Sequence, residues 1–183
     1  MGKHNMVELQ DKLKQLNKET TFYLNEIKKL ISTSFNNNEL KLISYFTYTM
    51  NISHEKESES LIIGTYHIQN IGDKTINSPY ICLKLSPNSP FHFSGKYITK
   101  ITNLAMKTND AWERLNNQTD KEEFWLKPIG KKTIEPTQIL SFSNFQAKWI
   151  PSESYIGSIM GFTYCDEFKE GIPAINQINV SGN

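Results

Sequence analysis

The sequence is short of the features that mark the most easily recognised functional classes. It lacks an excess of either charge, because 20 Lys and Arg stand against 19 Asp and Glu, and a net charge of +1 does not steer the chain toward nucleic acid or an acidic membrane. Arg114 is its single arginine, although arginine is the side chain whose planar fork suits specific contacts to phosphate and guanine. Specific nucleic-acid binding is therefore disfavoured.

Long apolar runs are also missing. None approaches the roughly 18 residues that a membrane-spanning helix requires. The first residues of the chain lack the apolar segment of a secretory signal, and Met6 stands where the myristoylation pattern needs Ser or Thr. We expect a cytoplasmic protein with no lipid anchor.

Cysteine is scarce and histidine is scattered. Cys82 and Cys165 each lie in an apolar, strand-like run, so we expect two buried thiols, while their pairing in a disulfide stays open. A zinc site needs ligands at short spacings, and the chain has neither a Cys-x-x-Cys motif nor a second His or Cys close to any histidine. No metal and no cofactor is predicted. The histidines are His4, His54, His67 and His92.

The motifs of common catalytic sites do not occur. The P-loop, the nucleophile elbow and the dinucleotide fingerprint are all absent from the sequence. The carboxylate pairs at 122–123 and 166–167 are expected to be solvated, because neighbours on a strand point to opposite faces. Nothing near Cys165 would lower its thiol pKa and make it a nucleophile. A non-enzymatic role is predicted, with an enzyme kept as a third alternative.

The clearest pattern is a heptad repeat at the start of the chain. Eight residues follow one another at alternating spacings of three and four, which is the a/d seam of a coiled coil. A continuous helix over about residues 5–33 is predicted, and the asparagines at 36–38 are expected to end it, because short amides favour turns. The seam consists of Met6, Leu13, Thr20 and Ile27 at a positions and Leu9, Leu16, Tyr23 and Leu30 at d positions.

We interpret this helix, assigned to a first domain of residues 1–37, as an oligomerisation device that pairs with copies of itself. Thr20 at an a position is expected to cost stability and to help fix the register. Leu24 and Ile31 at e positions widen the apolar stripe as in a core-facing helix, so we expect the N-terminal half to form the pair while residues 22–31 also touch the globular domain. The alternative is that the whole helix lies across its own β-sheet and no oligomer forms.

From residue 39 onward the apolar residues alternate with a period of two, which predicts a mainly β domain over residues 38–183. Short strands between recurring turns favour an antiparallel β-sandwich. Phe142 and Phe145 fall on opposite parities of one long strand, so a bulge is expected near Ser143 and Asn144. The predicted strands cover 40–50, 61–69, 81–85, 97–104, 139–150, 160–164 and 175–180, with short strand or edge pieces at 125–127 and 134 that suggest a loop-rich edge. A further helix is possible only near 110–116.

One stretch resembles a known family of sandwiches. Residues 68–76, with the turn Asn70-Ile71-Gly72, and the following residues 79–83 are similar to the first hairpin of bacterial immunoglobulin-like modules of the CARDB type. In those modules an Asn-x-Gly turn joins two strands. The resemblance implies an immunoglobulin-like sandwich.

Two loops carry the candidate binding residues. Aromatic side chains with adaptable polar neighbours on loops are typical of surfaces that bind proteins or sugars. The alternative is a satellite core in which the aromatic residues pack beneath their own loops. The candidates are Phe91, His92 and Phe93 in the loop 86–96, and Trp112, Arg114 and Trp125 in the excursion 105–125.

Together these patterns predict a non-enzymatic homo-oligomer, in which a coiled coil multiplies a β-sandwich that binds a protein partner through both loops. Heavy use of Lys, Asn and Ile is typical of AT-rich bacterial or phage genomes. We therefore expect the oligomer to be a structural component or adaptor of a bacterial or phage assembly. The alternative is a carbohydrate-binding, lectin-like module, with Phe91, His92, Trp112 and Trp125 as its stacking platform.

Overall fold

The computed structural model of the protein describes residues 12–26, 41–53, 57–99, 111–151 and 154–182. The chain divides into two compact units, Met1–Glu39 and Leu40–Asn183. The predicted domain boundary between residues 37 and 38 lies outside the described residues, as do the helix terminus at 36–38 and most of the predicted strand 97–104. Among the residues described, no helix combines the length and the apolar character needed to cross a membrane.

The N-terminal unit is described through one helix, α1, which covers residues 12–26 within the predicted helical span. This stretch contains neither Gly nor Pro and is rich in Leu, Lys, Gln and Glu, which have high helix propensity. The hydroxyl of Thr20 donates to the carbonyl of Leu16 at 2.8 Å. A threonine hydroxyl in a helix reaches the carbonyl four residues back, so this polar group is satisfied within its own helix.

The second unit is built from strands. They lie between Leu42 and Gly182 and alternate buried and half-buried residues in their longer members. The described strands are β1 (Leu42–Asn51), β2 (Ser60–Asn70), β3 (Ile76–Asn77), β4 (Tyr80–Leu85), β5 (His92–Ser94), β6 (Tyr97–Ile98), β7 (Trp112–Arg114), β8 (Glu123–Pro128), β9 (Thr133–Ile134), β10 (Ile139–Trp149), β11 (Tyr155–Tyr164), β12 (Ile172–Pro173) and β13 (Ile178–Gly182).

These strands form two main sheets and one small pair. The first sheet has the order β1-β2-β10-β5, and the second has the order β12-β11-β4-β8-β7-β6, with β13 also paired to β11. The pair β3–β9 stands apart from both sheets. Among the described strands, only β6 and β7 run parallel, and every other pairing is antiparallel.

Buried side chains of the two sheets meet face to face. The rings of Phe93 on β5 and Phe124 on β8 lie 4.3 Å apart between centroids. Trp112 on β7 packs edge to face on Phe142 of β10 at 5.5 Å. The predicted β-sandwich is therefore confirmed at the level of two packed, mainly antiparallel layers over a shared apolar core.

The predicted bulge in β10 is confirmed. The strand pairs with β2 as far as Phe142 and again from Phe145, with a shift of register between them. Asn144 has a positive φ of 58°, which asparagine tolerates better than most residues. Ser143 and Asn144 lie opposite Thr65 alone, and this one extra residue returns Phe145 and Trp149 to the buried face, where Phe145 is fully enclosed.

One expected edge was wrong, and the one stretch where a further helix was possible contains a strand. The piece around Trp125 is not an edge, because β8 lies between β4 and β7 in the second sheet. Pro128 ends β8, so its missing N–H does not interrupt the ladder inside the strand. The stretch near 110–116 is the strand β7 rather than a helix, with Trp112 and Arg114 pointing into the protein.

The predicted hairpin at the CARDB-like stretch was also wrong. β2 belongs to the first sheet and β4 to the second, so the turn after Asn70 carries the chain across the sandwich. Asn70 is buried; its Nδ2 donates to the carbonyls of Lys74 and Ile134 at 2.7 and 2.8 Å, and its Oδ1 accepts from Gly72 N at 3.0 Å. A turn motif shows where the chain changes direction, but it does not specify which strand the next one joins.

The edge of β1 is partly occupied by a side chain. Asn176 Oδ1 accepts from Phe46 N at 2.8 Å, and its Nδ2 donates to Phe46 O at 3.0 Å. Next to it, Ile175 N donates to Ser44 O at 2.8 Å. The loop before β13 therefore supplies β1 with hydrogen bonds that a further strand would otherwise make.

Glycine on β11 makes room for aromatic rings of the first sheet. A Cβ added at Gly161 would stand 2.2 Å from Cε2 of Tyr66 and 2.9 Å from Cζ of Phe46. Both of these rings are buried, with 0% and 3% of their surface exposed. The close approach of β11 to these rings therefore requires a residue without a side chain.

We predict that Gly161→Ala lowers the free energy of unfolding by about 2–3 kcal/mol, because a methyl group there forces buried rings from their places. Gly157→Ala on the same strand is the matched control. Its added Cβ meets the ring of Phe91, which is only half-buried and can move. Urea denaturation of both variants measures the difference, and equal losses would contradict this account of the packing.

Candidate functional site

Two of the predicted binding residues lie in the core. Trp112 is 2% exposed, and its Nε1 donates to the carbonyl of Ser141 at 3.3 Å. Phe93 is 7% exposed and lies between the rings of Phe124 and Phe145. Buried side chains do not reach a ligand at the surface. We therefore remove both residues from the candidate surface. Their burial agrees with the alternative that the loop aromatic residues pack into a core.

Arg114 is also buried, with 7% exposure. Its guanidinium carbon lies 4.4 Å from the centroid of the Phe124 ring, a cation–π contact. Its Nε donates to Oδ1 of Asn116 at 3.0 Å, and one terminal nitrogen donates to the carbonyls of Asp120 and Glu123. The single arginine of the chain thus holds the turn between β7 and β8, and we remove it from the candidate surface as well.

The remaining candidates do not share one surface. Phe91 is half-buried against Trp149, with 5.3 Å between ring centroids. His92 is exposed at the start of β5, on the first sheet. Trp125 is half-buried on β8 of the second sheet. The six predicted residues therefore do not form one surface.

A different group of aromatic residues covers the outer side of the second sheet. Tyr80 and Tyr164 are cross-strand partners with stacked rings, 5.1 Å apart and inclined by 11°. The ring of Trp125 lies 5.1 Å from that of Tyr164 and 6.2 Å from that of Tyr80. Phe162 and Met160 continue the row along β11. These five half-buried residues, Tyr80, Trp125, Met160, Phe162 and Tyr164, are called the aromatic surface below.

A hydrogen-bonded ion pair borders this surface and orients its tryptophan. Lys84 Nζ lies 2.9 Å from Glu123 Oε1, and the indole Nε1 of Trp125 donates to Glu123 Oε2 at 2.9 Å. The hydrogen bond from Lys84, followed by that from Trp125, lowers the pKa of the Glu123 carboxyl. The carboxylate therefore stays ionised at neutral pH and keeps the indole edge in place, so the ring is preorganised.

The thiols are not activated for chemistry. Cys82 and Cys165 are free and buried, which confirms the expected buried thiols. Burial raises the pKa of Cys82 to about 12 and that of Cys165 to about 11. Both thiols are protonated at neutral pH, whereas a nucleophilic cysteine acts as the thiolate.

Two clefts lie at the surface of the sandwich. A cleft of about 400 Å³ lies beside the β10 bulge and is lined by Lys96, Lys131 and Asn144 among others. A second, of about 230 Å³, adjoins the aromatic surface at Phe162 and is closed by residues 173–177. No carboxylate, His or Cys is among the described residues that line either cleft. The described part of the chain also contains no cluster of three His, Cys, Asp or Glu that could hold a metal ion.

Sequence reasoning missed Tyr80, Phe162 and Tyr164 as members of one surface. The alternation of residues along β4 and β11 could have identified them, because successive residues of a strand point to opposite faces. Ile81 alternates with Tyr80, and Gly161 alternates with Phe162. A glycine on the face opposite to aromatic residues indicates that this face lies against a bulky core, and that the aromatic residues face outward.

Comparisons with known proteins identify no family for this chain. No protein-family model and no curated protein matches it. The fold is similar to a cohesin module from a family 33 glycoside hydrolase of Clostridium perfringens, at 12% identity and a TM-score of 0.40, over 77% of this chain and 96% of that one. A protein assigned as ApaA from Bordetella pertussis is similar at 10% identity and a TM-score of 0.39, over 78% and 94%. At these values neither similarity assigns a function.

We predict that Arg114→Met lowers the free energy of unfolding by about 2–4 kcal/mol, because the carbonyls that the guanidinium binds lose their partner in a buried place. The exposed Lys127→Met is the matched control, which also removes one positive charge, and its effect should stay within about 0.5 kcal/mol. Denaturant titration of both variants provides the measurement. Equal stabilities would show that Arg114 does not hold the β7–β8 turn.

Proposed function

We propose that this chain is a non-enzymatic interaction protein that self-associates through its N-terminal helix and presents several copies of the β-sandwich to a protein partner. The observation that carries the proposal is the exposed apolar seam of α1. Leu13, Leu16 and Tyr23 are exposed by 58%, 64% and 64% of their surface. Large apolar side chains aligned on one helix face favour a partner that covers them.

A second copy of the same helix is the occupant that the spacing favours. The four described seam residues, Leu13, Leu16, Thr20 and Tyr23, continue in the sequence as Met6, Leu9, Ile27 and Leu30, which lie outside the described residues. An a/d seam of this length is typical of helices that pair with each other. Thr20 fits such a seam because its hydroxyl is bonded to Leu16 O, which leaves its methyl group for the contact.

The aromatic surface supports the partner-binding part of the proposal. Tyr, Trp, Phe and Met are enriched at the centres of protein interfaces, and charged residues of both signs are typical of their margins. The aromatic surface has this composition, with Lys84 and Glu123 at its margin. Of the six residues that the sequence indicated, Trp125 belongs to this surface and His92 offers an exposed side chain elsewhere. Linking several copies would raise the avidity of a weak single contact.

We also propose that the β-sandwich has an immunoglobulin-like arrangement of strands. In immunoglobulin constant-type sandwiches, strands A, B, E and D form one sheet and C, F and G form the other. The order β1-β2-β10-β5 and the neighbours β4, β11 and β13 follow that arrangement in chain order, with β6 to β9 inserted between D and E. This order supports an immunoglobulin-like sandwich, of which the CARDB modules are one kind.

A cytoplasmic role in a bacterial or phage assembly completes the proposal. Free, buried thiols are what a reducing compartment favours. Neither thiol is ionised, and neither cleft is lined by a described acid–base pair, which supports a structural component or adaptor rather than an enzyme.

The second candidate function is carbohydrate binding, and one observation favours it. Trp125 is half-exposed beside two tyrosines, and its indole edge is fixed by Glu123. Preorganised aromatic rings with polar neighbours also serve as stacking surfaces for sugars. Of the platform residues first considered, Trp112 is buried, so Tyr80 and Tyr164 take its place in this candidate.

We expect the full chain to form a dimer or small oligomer, and Leu16→Lys to shift it toward monomer by at least tenfold in dissociation constant, because a charge in an a/d seam is not tolerated. Asn25→Lys, at an f position of the same helix, is the matched control and should leave the mass unchanged. Light scattering over a range of concentrations reports both. A wild-type chain that is monomeric at every concentration would overturn the self-association part of the proposal.

A glycan array separates the two candidate functions. For a protein-binding adaptor we expect no saccharide-dependent signal. If the chain binds a saccharide, and if Trp125→Ala abolishes the signal while Trp125→Phe retains part of it, the carbohydrate function replaces the protein partner. His92→Ala, distant on the first sheet, serves as the control variant for that surface.

A further inference from the structure

We infer that the N-terminal helices pair in antiparallel sense, with residue 18 of one copy opposite residue 18 of the other. The inference deepens the proposed function and rests on its self-association. It is drawn from the seam and the flanking charged residues of α1 within residues 12–26, and from the continuation of the seam in the sequence.

The antiparallel arrangement matches unlike residues across the seam. With residue 18 at the centre, Leu13 of one copy faces Tyr23 of the second, and Leu16 faces Thr20. Thr20, the small polar residue of the seam, then packs against the larger apolar Leu16. The outer seam residues also find partners in the sequence, Met6 with Leu30 and Leu9 with Ile27. No seam residue is left without a counterpart, so this register uses all four heptads.

A parallel arrangement makes poorer use of the same residues. In a parallel pair each seam position faces itself, which places Thr20 against Thr20 at the centre of the coil. The seam is flanked by Lys12, Glu19 and Glu26 at g positions and by Asn17 and Leu24 at e positions. In a parallel pair each g residue faces the e residue of the next heptad on the second helix. Lys12 would face Asn17, and Glu19 would face Leu24, so no pair of opposite charges forms. The parallel coil therefore has no electrostatic preference for its register.

Charge complementarity favours the antiparallel pair. In that arrangement g residues face g residues, so Lys12 of each copy faces Glu26 of the other, which gives two attractive contacts. Glu19 faces Glu19 of the second copy near the centre, which gives one repulsive contact. Gln15 Nε2 donates to Glu19 Oε1 at 3.1 Å and holds that carboxylate along the helix. Two attractive contacts outweigh one repulsive contact of similar kind.

The orientation determines where the rest of each chain leaves the coil. At 1.5 Å per residue, residue 26 of the two copies would be separated by about 24 Å along an antiparallel coil. In a parallel coil the same residues would lie about 10 Å apart, the spacing of two packed helices. The C-terminal ends of the two described helices would therefore lie at opposite ends of an antiparallel coil.

Disulfide cross-linking of the full chain tests the orientation. Leu13→Cys and Tyr23→Cys are prepared separately, one of them with an affinity tag, then mixed and oxidised mildly. Both positions are exposed in the single chain, so neither substitution disturbs the core of the β-sandwich, and light scattering of each variant verifies that the pair still forms; Cys82 and Cys165 are buried. We expect a mixed disulfide between the two variants and none within either variant alone.

The alternative outcomes are distinguishable. Disulfides within each variant alone, with no mixed product, would show a parallel coil, which overturns this inference while self-association stands. No disulfide in a chain that light scattering shows to be oligomeric would also overturn the inference alone. A monomer at every concentration would overturn it together with the proposed self-association.

Charge variants provide a second measurement that needs no cross-link. Glu19→Gln removes the repulsive contact and should tighten the dimer about two- to fivefold. Lys12→Glu should weaken it by a similar factor, and adding Glu26→Lys to that variant should restore it. Lys14→Glu, at a b position away from the flank, is the control. Unchanged dissociation constants for Glu19→Gln and Lys12→Glu would contradict the antiparallel register.

Discussion

The two sheets of the sandwich depend on one buried tyrosine. Tyr66 of β2 hydrogen-bonds Ser44 on its own sheet at 2.9 Å and Thr163 on the opposite sheet at 3.0 Å. Its ring lies over Gly161 and against Phe46, 4.9 Å between ring centroids. Burial raises the pKa of the Tyr66 hydroxyl, so it stays neutral and available to both hydroxyl partners. The Tyr66 side chain thus links the two sheets both by hydrogen bonds of its hydroxyl and by apolar packing of its ring.

This contact also decides which residues face the solvent on β11. Because Gly161 and Thr163 face Tyr66, and successive residues of a strand point to opposite sides, Phe162 and Tyr164 must lie on the outer face. The register of β11 with β4, and of β4 with β8, then sets a tyrosine and a tryptophan beside them. The aromatic surface is therefore the outer side of the same packing arrangement that closes the core.

Periodicity in the sequence was sufficient for the helix, the long strands and the bulge at Ser143, because each depends on local spacing and on one buried face. Strand partners were not predictable, since the turn at Asn70 joins different sheets. The candidate site was found only in part. Trp112 and Arg114 are residue types common in binding loops, but they lie on the strand β7 with their side chains buried. Tyr80 was missed because the outer face of its strand was not considered as a binding surface.

The side chain of Asn176 has a consequence for the behaviour of the protein at high local concentration. By bonding both backbone groups of Phe46, it leaves no acceptor or donor at that point of β1 for a strand of another molecule. In an oligomer, sheet edges of several copies share a small volume, and open edges would invite fibril-like stacking. A single amide that imitates a strand therefore blocks one position of the β1 edge against strand addition by another molecule.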